Sequence, residues 1–304
     1  MRTVFARFMM VLFAATFFVS VAAAQERPQL LVNSTWLAQH LHDANLVVLH
    51  VGGPTSFGKA HIPGAQLMTL DDVSVSNDKL SLELPPVQTL TSAFEARGIS
   101  GDSRIVVYAG DVPAELATRI IWTLTYYGLG DRVSLLDGGL SAWSAAGNPV
   151  ASDVTTPAPG KLMPHIHSEV FADAAWVDAH LHQPGLSLID ARMAHPYPGS
   201  FHLPGFETGP IPGFDAGHIP GAKNIPIEVL TNDSGQLKDA SALQEIFQNA
   251  GARPGNQVVG YCYVGARATL VWFTATMLGY QARLYDGSWQ DWSARKDLPV
   301  ETAK

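Results

Sequence analysis

The sequence predicts an α/β fold made from one unit written twice. Three observations carry this: short apolar runs alternate with amphipathic stretches, a set of motifs recurs in the same order, and 304 residues exceed what one core usually needs. Strands alternating with helices imply a parallel sheet covered on both faces. At 47% hydrophobic and 15% charged residues, both halves can bury a core.

The repeat is read pair by pair. Asn33-Ser-Thr-Trp36, followed by Leu46-Val-Val-Leu-His50, returns as Asp173-Ala-Ala-Trp176, followed by Leu186-Ser-Leu-Ile-Asp190, at an offset of 140. Ala60-His61-Ile62-Pro63-Gly64-Ala65 returns as Gly217-His218-Ile219-Pro220-Gly221-Ala222 at an offset of 157, so 17 residues enter the second copy, in the Pro- and Gly-rich stretch His195 to Gly213. Ile105 to Tyr108 matches Val258 to Tyr261, and Leu136-Asp137-Gly138-Gly139 matches Tyr285-Asp286-Gly287-Ser288. In the second copy the patterns predict strands at Leu186–Ile189, Gln257–Tyr261 and Ala282–Tyr285, and helices at Ala240–Asn249 and Ala268–Leu278.

The predicted organisation is a leader at residues 1–24, a first domain at 29–150, a linker at 151–168 and a second domain at 169–304. The leader has Arg2 and Arg7, an apolar run from Phe8 to Val21 and small residues Ala22 to Ala24. That is the pattern of a cleaved secretory signal peptide, and the run is short for a membrane anchor. An exported, periplasmic protein with no stable membrane insertion after cleavage is expected.

The formal net charge of −8 becomes more negative once the leader's two arginines are removed. Nucleic acid is a poor partner for such a chain, because phosphate binding needs clustered Lys and Arg. Cys262 is the single cysteine, so it closes no internal disulfide.

The chemistry concentrates in Tyr261-Cys262-Tyr263-Val264-Gly265-Ala266-Arg267-Ala268. A predicted strand ends at Tyr261, a loop runs from Cys262 to Arg267, and a helix follows. Ligands of open parallel sheets bind beyond the carboxyl ends of the strands, where this loop must lie. Its amides can curl around the sulfur beside a helix N-terminus, Gly265 supplies the backbone freedom, and Arg267 can add positive charge. All three favour thiolate over thiol. The eleven histidines are scattered, and His165-Ile-His167 lacks further ligands, so neither metal nor organic cofactor is expected.

With both His-Ile-Pro-Gly-Ala segments, Ile189-Asp190-Ala191-Arg192, the Cys262 loop and Leu284-Tyr285-Asp286-Gly287-Ser288 with Trp292, the chain from about residue 30 onward resembles the tandem-domain rhodaneses, the thiosulfate and 3-mercaptopyruvate sulfurtransferases. The resemblance implies two five-stranded, mainly parallel sheets flanked by helices, with the active site on the second domain near the interface. It implies that Cys262 carries sulfur as a persulfide, that Tyr263, Val264, Gly265, Ala266 and Arg267 cradle it, and that Arg192 helps bind an anionic donor. Asp190 is expected to orient Arg192 or cap its strand end. His218, matched by His61, is expected to fix a turn rather than act as a base.

The first copy places Ala109 where the second has Cys262, and His50 and Gly52 where it has Asp190 and Arg192. It is expected to be catalytically inactive and to cover the second copy's loop. Tyr263 and Val264 are read as crowding the rim of the pocket. With Arg192 and Arg267 they suit a compact dianion, so the expected reaction moves sulfur from thiosulfate to cyanide or a thiol, a thiol-bearing protein included. The alternatives are 3-mercaptopyruvate as donor and a non-catalytic sulfur-relay or binding module. A phosphatase is disfavoured, because four rather than five residues separate Cys262 from Arg267.

Overall fold

The computed structural model of the chain describes residues 29–193 and 217–302. The leader at 1–24 and the insertion from His195 to Gly213 lie outside them.

In the first copy the strands are β1 (Leu31–Val32), β2 (Leu46–Val51), β3 (Gln66–Met68), β4 (Arg104–Ala109) and β5 (Val133–Leu136), hydrogen-bonded in the order β1-β5-β4-β2-β3. The second copy repeats this with β6 (Phe171–Ala172), β7 (Leu186–Asp190), β8 (Lys223–Asn224), β9 (Gln257–Tyr261) and β10 (Gln281–Tyr285), in the order β6-β10-β9-β7-β8. Every pairing in both sheets is parallel. These are the two five-stranded sheets flanked by helices that the resemblance implies, in the two copies that the repeat predicts.

The helices are α1 (Ser34–His40), α2 (Pro54–Phe57), α3 (Val87–Glu95), α4 (Ala114–Tyr127), α5 (Gly139–Ala145), α6 (Ala174–His180), α7 (Ala240–Asn249), α8 (Ala268–Met277) and α9 (Ser288–Ala294). The duplicated Asn33 and Asp173 do the same job: each side chain accepts the N–H of the Trp three residues on, at 2.8 and 2.7 Å, which starts α1 and α6. Helix α8 is apolar on nearly every side, and Ala268 to Ala275 are all buried. It meets its first-copy counterpart α4 across the seam, where the Thr118 and Thr269 hydroxyls bond at 2.8 Å. One apolar cluster therefore runs through both copies, from Leu49 and Ile120 to Val271 and Leu284. The outer face of each sheet has its own smaller cluster, around Tyr108 and Trp143 in one copy and Tyr261 and Trp292 in the other.

The segment 151–168 is bound along its length. Ala151 bridges His61, Leu162 N–H donates to Glu95 at 2.8 Å, and His167 N–H donates to the Tyr126 carbonyl at 2.8 Å. The two histidines sit at equivalent turns. His61 Nδ1 lies 2.7 Å from the Phe57 carbonyl, and the backbone of His218 bridges Glu301.

A buried tyrosine closes each turn onto its sheet. Tyr108 Oη accepts the Ile62 N–H at 2.9 Å and bonds His50 Nδ1 at 2.9 Å, and Tyr261 Oη accepts the Ile219 N–H at 3.2 Å and donates to Asp190 at 2.8 Å. Tyr108→Phe leaves two buried polar groups without partners, and urea denaturation is expected to show a loss of about 1–3 kcal/mol. An unchanged midpoint would show that this hydroxyl does not hold the turn.

Candidate active site

The Cys262 loop joins the end of β9 to the start of α8, and its conformation follows from where its carbonyls go. Cys262 O accepts from Trp289 N at 3.0 Å, and Tyr263 O accepts from Gln290 N at 2.9 Å. Gly265 O accepts from Arg119 Nη1 at 3.2 Å, and Ala266 O accepts from the Thr269 hydroxyl at 2.6 Å. A planar trans peptide points its C=O and the next N–H in opposite directions. Four engaged carbonyls therefore set the N–H groups of Tyr263, Val264, Ala266 and Arg267 on the sides opposite to those donors. Among the described residues, no backbone carbonyl takes up the N–H of Val264, Gly265 or Ala266. Gly265 sits at φ +76°, and a Cβ there would lie 2.5 Å from the Asp286 carbonyl. Such a run of amides is an anion-binding concavity.

Ser288 fixes the start of the loop. Its hydroxyl accepts the Cys262 N–H at 3.1 Å and donates to the Tyr285 carbonyl at 2.9 Å. To do so it adopts φ +51°, unusual for a residue with a Cβ. The aligned residue of the first copy is Gly139, at φ +57°. The positive φ belongs to the repeat, and only the second copy takes it with a side chain that can reach the cysteine.

Asp190 and Arg192 form one rigid pair at the end of β7. Arg192 Nε lies 2.9 and 3.0 Å from the two Asp190 oxygens, and Arg192 Nη2 donates to Asp190 at 2.6 Å and to the Gly217 carbonyl at 2.8 Å. Burial alone would depress the guanidinium, but the hydrogen bonds and charge of Asp190 hold its pKa above the usual value. The guanidinium lies 4.6 Å from the Trp289 ring and 5.6 Å from the Tyr263 ring. Its Nη1 is buried and has no hydrogen-bond partner among the described residues.

Two expectations need correction. Arg267 does not present an open fork: Nη2 is paired with Glu228, and Nη1 lies 4.0 Å from Glu115. Its charge is balanced by these carboxylates, and burial pushes the Glu115 carboxyl up. Tyr263 and Val264 do not form a rim either. Both are 1% exposed and belong to the apolar cluster shared by the two copies, because the first copy covers the loop. Burial raises the Tyr263 phenol as well. Cys262 itself is 1% exposed.

A cavity of about 340 Å³ opens along the seam, lined by Gly110, Glu115, Gly139, Glu228 and Arg267 among others. It borders the first copy's empty loop rather than Cys262. Among the described residues, no group of three or more His, Cys, Asp or Glu could hold a metal, and no helix is long and apolar enough to cross a membrane.

Sequence reading missed Arg119, Asp286, Ser288 and Trp289 as parts of this site. The aligned pair Gly139 and Ser288 carried a signal for one of them; Arg119 lies 146 residues from Gly265 and carried none.

A duplicated parallel α/β sheet, with a cysteine in the strand-to-helix loop of one copy and an alanine at the matching place in the other, defines a tandem two-domain protein. The Rhodanese-like domain family matches residues 33–146 and 173–295, and the chain belongs to that family. A probable 3-mercaptopyruvate sulfurtransferase of Pseudomonas aeruginosa is 33% identical over 285 residues, covering 90% of this chain and 98% of its own. A Mycobacterium leprae protein provisionally named a thiosulfate sulfurtransferase is 30% identical, with coverage of 90% and 98%. The solved structure of the Escherichia coli 3-mercaptopyruvate sulfurtransferase SseA superposes with a TM-score of 0.71 at 25% identity, covering 86% of this chain and 99% of that one.

Glu83 projects into the seam close to Asp286 and Asp291. Burial, then the charge of Asp286, push its carboxyl up from 4.5 to about 7, against the opposing pull of Arg119. The folded state thus binds this proton more tightly than the unfolded chain. Its contribution is complete below pH 4.5 and is lost as pH rises to about 7. Denaturation midpoints across that window are expected to fall less steeply in Glu83→Gln than in the parent; parallel profiles would exclude Glu83 as the titrating group.

Proposed function

We propose that this sulfurtransferase-family chain carries sulfane sulfur on Cys262 and takes it from thiosulfate. The observation that carries the reading is the outward anchoring of the loop carbonyls around the single cysteine, which leaves amide donors to stabilise a thiolate and then a persulfide anion.

The steps balance without a redox partner. The Cys262 thiolate attacks the outer sulfur of thiosulfate, the sulfur–sulfur bond breaks, and its electron pair leaves with sulfite. The product is a Cys262 persulfide. Cyanide or a thiol then attacks the terminal sulfur and leaves with it, returning the thiolate. Arg192 Nη1 supplies a charged donor to the departing sulfite. A cysteine with 1% exposure suits a compact donor, which supports thiosulfate. The names of the Pseudomonas and Escherichia relatives favour a second reading, 3-mercaptopyruvate as donor. The positively charged and apolar N-terminal segment supports export of the chain.

Cys262→Ser is expected to fold as the parent does and to lose all thiosulfate:cyanide turnover; retained turnover would defeat the mechanism. With the parent protein, kcat/KM for thiosulfate is expected to exceed that for 3-mercaptopyruvate. The reverse order would establish the second reading.

A further inference from the structure

Arg119 of α4 is a first-copy side chain that reaches a backbone carbonyl of the second copy's loop. It is fully buried, and its fork spans three partners from both copies. Nη1 donates to the Gly265 carbonyl at 3.2 Å and is paired with Asp286, while Nη2 donates to the Leu82 carbonyl. The guanidinium also lies 4.6 Å from the Trp122 ring, which fixes its plane. Asp286 in turn accepts the Leu84 N–H at 3.2 Å, so the acid is held by the first copy as well.

Of the four loop carbonyls described above, Gly265 O takes its donor from the first copy. Cys262 O, Tyr263 O and Ala266 O are satisfied by α9 and by Thr269, all within the second copy. Peptide planarity then couples Arg119 to the opposite side of the Gly265–Ala266 peptide, which carries the Ala266 N–H. Gly265, at φ +76°, has no side chain to restrict that peptide, so it can turn unless something holds it. A turned peptide would present a carbonyl, not an amide, to the sulfur.

We propose that Arg119 is a positioning residue: by anchoring the Gly265 carbonyl it aims the Ala266 N–H at the Cys262 sulfur and holds the thiol ionised. This rests on the proposed role of Cys262 and explains what the empty first copy does for the reaction. The guanidinium's own charge is met by Asp286, so its effect passes through the amide.

The test measures the rate of Cys262 alkylation by iodoacetamide against pH, which needs no turnover. In Arg119→Met the midpoint of the rate profile is expected to rise by about one pH unit. The kcat for thiosulfate is expected to fall about ten- to a hundredfold with little change in KM. Arg119→Lys keeps a buried cation but not the fork, and is expected to show a smaller shift in the same direction. Asp137→Ala breaks a seam contact that does not touch the loop, the 2.9 Å bond from Leu237 N–H, and is expected to keep the parent profile. If Arg119→Met does not fold, Arg119→Lys carries the test. A folded Arg119 variant with the parent midpoint, or an equal shift in Asp137→Ala, would overturn the proposal. Loss of turnover in the parent itself would instead count against the proposed sulfur transfer, leaving the alkylation result to stand.

Discussion

A buried peptide carbonyl must find a donor, and in this protein the donors for the Cys262 loop all lie outside it. Trp289 N, Gln290 N, Thr269 and Arg119 each take one carbonyl. With those bonds made, the loop has little choice about where its amides face. The direction of the loop's peptides is therefore a consequence of helix placement and domain docking. Arg267, the nearest cation in the sequence, is bound to carboxylates.

Duplication followed by divergence accounts for the asymmetry of the molecule. The seam is nearly symmetric: Leu84 N–H donates to Asp286 in one half, and Leu237 N–H donates to Asp137 in the other. The sheet ends are not. Tyr261 pairs with Asp190, which grips Arg192, whereas Tyr108 pairs with His50, held neutral by burial down to about pH 4. Around the missing cysteine of the first copy, Gly110 packs so tightly on His50 that a Cβ would come within 2.2 Å of the ring. The first loop is closed by a histidine where the second is built around a sulfur.

The fold was legible because the repeat and the alternation of apolar runs are local features. The helix Ala240–Asn249 and the strand Gln257–Tyr261 are read from the sequence at their observed bounds. The position of Cys262 between a strand and a helix was legible for the same reason. The partners of Arg267 were not, since Glu228 is 39 residues away and no periodicity links them. Nor was the burial of Tyr263 and Val264, which depends on how one copy docks on the other. Ser288 stood in plain view opposite Gly139, but its strained backbone becomes meaningful only once its hydroxyl is seen on the Cys262 amide.

The central claim is that Cys262, held among these amides, becomes a persulfide during turnover. The most direct test is mass spectrometry of the peptide containing Cys262 after thiosulfate, then after cyanide. The account predicts a gain of one sulfur atom on Cys262 that cyanide removes as thiocyanate. Thiocyanate formed at full rate while that peptide stays unmodified would contradict it.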